Sequence, residues 1–256
     1  MRKLIIAALL ALLILIILTL PAGLIIPRFD PPAALGQYSG TIWSGQARWR
    51  QAGQVPMALT WRWGWGRHWN WEAFDSESRL QGRWQPGEGV NLNGIGGRLA
   101  LARMDMAAWM PLAPPQGFLS LALDQVRWSE GQMPNVQGLA IWEDARLAGV
   151  VQESLGRIEV RFEPEAGRTV ARVRSLSVAP VTVQGTIVLG AADVADRYRI
   201  DLWLRAAADR PDLAAQLGTL GQRQVDGQVR LQLEGRLGFE DGAQKRRESV
   251  DHVDGS

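Results

Sequence analysis

The side chains able to do chemistry are few in this chain. Histidine occurs twice, at His68 and His252, and cysteine is absent. That supply excludes thiolate nucleophiles, disulfides and Cys-type zinc sites, and leaves too little imidazole for a histidine metal cluster or a Ser-His-Asp relay. Glu163 and Glu165 form a close carboxylate pair. Two positions apart on a strand-like stretch, they suit a solvated face better than the acid and nucleophile of a glycosidase. Asn91 to Gly97, Asn-Leu-Asn-Gly-Ile-Gly-Gly, reads as a glycine-rich turn. Neither the Lys-Ser/Thr pair nor the helix of a phosphate loop follows it. The reading is of a protein that is not an enzyme, with no catalytic residue, cofactor or metal expected.

The strongest candidate surface is aromatic. Trp61, Trp63, Trp65, Trp69 and Trp71 all occupy odd positions, so a continuous strand would place them on one face, with Arg62, Gly64, Gly66, His68, Asn70 and Glu72 on the other. Each indole buries about 150–250 Å², and five of them at ~25 cal/mol per Å² represent an upper bound of roughly 20–30 kcal/mol. A face of that size demands cover. It can line a core, with Gly64 and Gly66 marking a bulge or close backbone approach, which is the preferred reading. It can instead receive a protein partner beside Arg62 and Arg67, lie at a membrane surface as an aromatic belt, or stack on sugars. The sugar reading is the weakest, because no cluster of acids or amides is visible around the indoles.

Such a face needs elements to carry it, and the chain supplies two kinds. Leu4 to Pro27 has no charged residue. As a helix it reaches about 36 Å, against ~30 Å for a hydrocarbon core, so 4–27 is expected to be a transmembrane helix. Pro21 limits the uninterrupted helix, and Gly23 with Pro27 marks its exit. A cleaved secretory signal fits less well, since the apolar core is long and Leu20-Pro21-Ala22 lacks a small residue at the required place. Arg2 and Lys3 hold residues 1–3 in the cytoplasm and send the remainder across.

Beyond the span, Pro31 and Pro32 suggest an extended stalk over 28–39. Residues 40–240 then read as one β-rich domain, with a disordered tail over 241–256. Leu119-Leu121-Leu123 with Val126 and Trp128, Val170–Val173 into Leu176 and Val178, Ile200-Leu202-Leu204, and Val229-Leu231-Leu233-Leu237 all alternate as strands. The fold class is mainly β, a curved and largely antiparallel sheet with one or two short helices. Ala102 to Met110 is one helix candidate. Asp209 as N-cap with Pro211, Leu213, Ala214, Ala215, Leu217 and a stop at Gly218 is the other. Gly40-Thr41-Ile42-Trp43 and Gly138-Leu139-Ala140-Ile141-Trp142 resemble each other, which either repetition or shared alternation explains. The formal charge is +2 with both signs interspersed, so no nucleic-acid partner is expected.

Several stretches together resemble the type II secretion system protein N family of the general secretion pathway. They are the N-terminal anchor, Gly40-Thr41-Ile42-Trp43-Ser44-Gly45-Gln46-Ala47, the Trp61-Arg62-Trp63 region, Gly138 to Ala145 with Trp142, Pro211 to Leu217, and Asp226-Gly227 leading into Val229 to Leu237. The dense tryptophan run and polar tail do not map onto that pattern. The resemblance implies a single-pass bacterial inner-membrane protein with a periplasmic domain. That domain would contact inner-membrane secretion components, or the outer-membrane secretin, during export of folded proteins. The chain is also similar to AsmA-type anchored β-rich proteins, which implies an alternative in which an apolar groove binds lipid.

Overall fold

The computed structural model describes residues 19–29, 34–50, 55–103, 115–129, 134–147, 154–191, 194–219 and 221–236. Helix α1 (Ala22–Ile25) and a 3-10 turn (Ile26–Phe29) precede the first strands. These are β1 (Leu35–Gly40), β2 (Ser44–Trp49), β3 (Met57–Gly64), β4 (His68–Phe74), β5 (Arg79–Gln85) and β6 (Val90–Ala100). A 3-10 turn (Leu101–Arg103) follows, then β7 (Pro115–Trp128), β8 (Asn135–Leu147), β9 (Ser154–Glu165), β10 (Arg168–Ser175), β11 (Val181–Ala191) and β12 (Val194–Ala206). Helix α2 (Pro211–Leu217), β13 (Gln222–Arg223) and β14 (Val229–Arg236) end the described chain. All fourteen strands belong to one sheet, in the order β1 through β12, then β14 and β13. Every pairing is antiparallel, so from β1 to β12 each strand lies beside its neighbours in sequence.

Because side chains alternate along a strand and opposed residues share a face, the register separates two surfaces. Following directly paired residues from β2 to β14 gives Ala47, Leu59, Ala73, Leu80, Gly97, Leu121, Ala140, Val160, Val173, Gly185, Leu202 and Leu231. No polar side chain interrupts that row. The neighbouring row on the opposite face is polar at both ends, with Gln46, Thr60, Glu72 and Gln81 on one side and Arg161, Arg172, Thr186, Asp201 and Gln232 on the other, and passes through Gly96, Ala122 and Leu139 between them. The fold is thus a single amphipathic layer, open and curved. Register shifts in β1–β2, β5–β6, β7–β8, β8–β9 and β11–β12 supply bends, as bulges do.

The apolar face is most completely closed at its C-terminal end. Leu213 and Leu217 of α2 pack with Val181, Val183, Leu204 and Val229, and Leu213 is 1 % exposed. Pro211 opens this helix, where its missing N–H costs nothing. The N-cap is Arg210, not Asp209, and it caps through no side-chain hydrogen bond. Gly218 ends the helix with a right-handed backbone, φ −59°.

The sequence expectation of a mainly β, antiparallel sheet with short helices agrees with this architecture. Several details differ. The expected stalk gives its last residues to β1, the edge strand. Val170–Val173 forms β10 as expected, but the strand ends at Ser175, leaving Leu176 and Val178 exposed. The supposed glycine-rich turn over Asn91 to Gly97 lies inside β6, where Gly94, at φ +58°, takes up a bulge opposite β5. Ile42-Trp43 makes the β1–β2 turn whereas Ile141-Trp142 lies within β8, so the two similar stretches are different structural units. Among the described residues no helix is long and apolar enough to cross a membrane. Most of the stretch expected to do so, 4–18, lies outside them, as do 104–110 of the first helix candidate and the tail over 241–256.

Candidate functional site

The tryptophan segment is a hairpin and not a continuous strand. Trp61 pairs with Trp71 and Trp63 with Trp69, across a turn in which Gly66 (φ +97°) and Arg67 (φ +59°) adopt left-handed backbone. The paired positions sum to an even number, so folding the chain back preserves parity and keeps these four indoles on the apolar face. Trp65 is the exception. It sits in the turn, beyond the last ladder pair Gly64–His68, and is 99 % exposed.

The four packed indoles recruit two more that the sequence reading left out, Trp43 from the β1–β2 turn and Trp84 from β5. Trp69 lies at the centre. Its ring centroid is 4.2 Å from Trp63, edge on, 4.8 Å from Trp84, and 6.4 Å from Trp43 in a stacked arrangement. Trp43 meets Trp63 edge on at 5.4 Å. Such edge-to-face and offset contacts each add roughly 0.5–1.5 kcal/mol beyond area burial. Trp61 and Trp71 lie over glycines on the adjoining strands, because a Cβ at Gly45 or Gly82 would run into their rings. A single layer of sheet therefore covers its own apolar face here, using side chains long enough to lie across their neighbours.

Indole N–H groups also tie this cluster to the start of the described chain. Trp61 Nε1 donates to Thr41 O at 3.1 Å and Trp69 Nε1 to Ile42 O at 3.0 Å. The Trp63 amide donates to Trp43 O at 2.6 Å, and the Ile42 amide to Leu20 O at 3.1 Å. Pro21 forms a bridge with Thr41. Trp71 Nε1 is buried with no acceptor among the described residues.

Behind the indoles, on the polar face, the sheet holds a trough of about 950 Å³ running across β1 to β6. Its floor is the backbone of Gly45, Trp61, Trp71 and Gly82. Ser44, Arg62, Asn70 and Arg83 form one wall, and Gln46, Thr60, Glu72 and Gln81 the other. Glu72 is neutralised by Arg79 at 3.0 Å. Among the described residues, Arg62 and Arg83 have no carboxylate within ion-pair distance, and both are exposed. They lie two strands apart, roughly 9.5 Å. Alternation around the Trp run already put Arg62 and Asn70 on one face, but only the strand order brings Arg83 beside them.

Several carboxylates are committed to arginine partners. Glu163 and Glu165 both accept from the guanidinium of Arg172, forming an ion-pair fork and not a facing catalytic pair. Glu159, 8 % exposed, accepts from Arg174 at 2.9 Å, and that hydrogen bond holds its carboxyl below the usual range. Asp201 is lowered likewise, first by its hydrogen bond to Arg230, with an O···N distance of 2.6 Å. His68 pairs with Gly64 at the hairpin end. Among the described residues no group of three potential ligands stands ready for a metal ion.

A family model described as type II secretion system (T2SS), protein N, matches residues 31–232. Neither a curated protein nor a solved structure matches the chain.

Proposed function

The chain belongs to the type II secretion system protein N family, and from that membership we propose that it is a non-enzymatic component fixed in the inner membrane. In this reading Leu4 to Leu20 crosses with the N-terminus in the cytoplasm, and the sheet lies in the periplasm. There it contacts other members of the secretion machinery, either inner-membrane components or the secretin, during export of folded proteins.

The observation that carries the contact is the trough. Among the described residues, two guanidiniums without a carboxylate partner face one depression, with Asn70 between them and the one lining carboxylate, Glu72, already paired. Guanidinium forks suit carboxylates in bidentate geometry. The trough therefore fits an extended segment of a partner with acidic side chains about 9–10 Å apart, close to three residues of polyproline-like chain at ~3.1 Å each.

The double charge reversal Arg62→Glu with Arg83→Glu tests this. Both side chains are exposed, so circular dichroism should stay native. Co-purification of secretion components from solubilised membranes should fall at least about tenfold, with exported proteins retained in the cell. Unchanged co-purification and export would overturn the trough as the contact. A reporter active only in the periplasm, fused after Leu237, should be active, and an inactive fusion removes the orientation. Stoichiometric phospholipid recovered with the purified protein would favour the lipid-handling reading of the apolar face instead.

A further inference from the structure

Trp65 is the one indole of the hairpin that packs on nothing among the described residues. Four neighbours in the same segment are drawn onto the apolar face, while Gly66 and Arg67 turn the chain so that Trp65 projects past the last ladder pair. A fully solvated indole at a hairpin tip is a large apolar surface with a polar N–H, the combination that favours the interfacial layer of a bilayer over water.

The position of the tip is fixed by bonds already described. The β1–β2 turn is joined by backbone hydrogen bonds to Leu20 on one side and to Trp63 on the other. Trp65 therefore lies at the end of the sheet where the uncharged N-terminal stretch meets it at Leu20, about two residues, or ~7 Å, beyond the level of that turn. The same end carries the half-exposed cross-strand pair Val90 and Trp128 and the indole of Trp84. Among the described residues the opposite end of the strands carries the fully exposed Val178 and Val225 and the part-exposed Trp49, Val55 and Leu176, but no fully exposed indole. Arg67, exposed beside Trp65, adds a cation at the height of lipid phosphates.

We propose that the β3–β4 tip, Trp65 with Arg67, docks into the interfacial layer of the bilayer. The domain is then held against the membrane at two points, the exit of the chain near Leu20 and the hairpin. The occupant is a phospholipid surface, argued from where the apolar stretch outside the described residues rejoins the fold. This rests on the reading of Leu4 to Leu20 as a membrane span. Two contacts at one end of the sheet fix how the strands stand relative to the bilayer, which one flexible attachment would not do.

The absence of cysteine makes the test direct. Single variants His68→Cys, Val178→Cys and Leu10→Cys of the full chain, each carrying an environment-sensitive fluorophore, are reconstituted into phosphatidylcholine–phosphatidylglycerol vesicles. The His68 probe sits at the last ladder pair of the hairpin and leaves Trp65 and Arg67 in place. Both leaflets contain lipid spin-labelled near the headgroup end of the acyl chain, and circular dichroism confirms each fold. The Leu10 probe should be quenched. The His68 probe should be blue-shifted and quenched severalfold more than the Val178 probe. If the Leu10 probe is quenched but the His68 probe behaves like that at Val178, the docking is overturned while the span stands. If the Leu10 probe is unquenched, the span fails and the docking with it.

Discussion

Between β1 and β6 the apolar face carries indoles that cover one another and the glycines beside them. Between β9 and β14 it carries Val, Leu and Ile under a lid, with Leu213 and Leu217 of α2 pressed into the row. Aliphatic side chains stand nearly perpendicular to a sheet and cannot screen their own strand backbone. They need a second layer, whereas indoles can lie down. The polar faces differ as well. Arg174 with Glu159, Arg172 with Glu163 and Glu165, Arg230 with Asp201, and Arg199 with Glu234 bridge neighbouring strands of the C-terminal half. The N-terminal half leaves Arg62 and Arg83 without a carboxylate among the described residues. These C-terminal guanidiniums hold neighbouring strands together, whereas the two that line the N-terminal trough do not.

The comparison breaks most visibly if the two regions do not melt independently. In an antiparallel meander each strand touches chiefly its sequence neighbours, so stability is local and a lesion should not travel far. Trp69→Ala and Leu213→Ala should each cost about 2–5 kcal/mol, the range for core truncations. Hydrogen exchange resolved by peptide should show the first variant losing protection in β1–β6 and the second in β9–β14. Equal loss throughout from either variant would mean one cooperative unit.

A smaller effect separates the regions by acid. Asp201 and Glu159 are depressed by their arginine hydrogen bonds in the folded state. The stability they contribute is complete above the usual carboxylate range of about 4, and is lost as pH falls through that range towards their lower folded values. Between pH 5 and pH 3, as approximate limits set by that range, β9–β14 should lose exchange protection before β1–β6. Asp201→Asn should flatten the pH dependence of the urea midpoint, and an unflattened curve would show that the pair adds nothing.

The smallest effect is expected at Val178, which is fully exposed in a connection. Val178→Ser should shift stability by no more than about 0.5 kcal/mol. A larger loss in thermal melts would reveal a contact at that end of the sheet which the two-region comparison omits.

Which side chains share the apolar face was readable from alternation alone, as Ile200-Leu202-Leu204 and Val229-Leu231-Leu233 show in β12 and β14, although Leu233 at the far end stays exposed. What alternation cannot specify is the partner, because period two is the same whichever strand lies alongside. The Trp run illustrates both halves of this. Odd spacing correctly grouped Trp61, Trp63, Trp69 and Trp71, but the turn that frees Trp65 depends on left-handed backbone at Gly66 and Arg67. Only its glycine announced it. The bulge at Gly94 was hidden for the same reason, since Asn and Gly favour turns and bulges alike. The trough was beyond reach in one dimension, because Arg62 and Arg83 become neighbours only through β4.

The sequential strand order also bears on how this chain is made. A sheet whose strands pair in order of appearance can be laid down one strand at a time, each finding its template already in place, without waiting for distant segments. A chain delivered N-terminus first can thus fold as fast as it emerges, with little unpaired edge exposed for long. The last step alone departs from this rhythm. Since β14 lies beside β12, the chain must pass through α2 and β13 before closing, and the slowest stage of maturation should be the docking of that final segment.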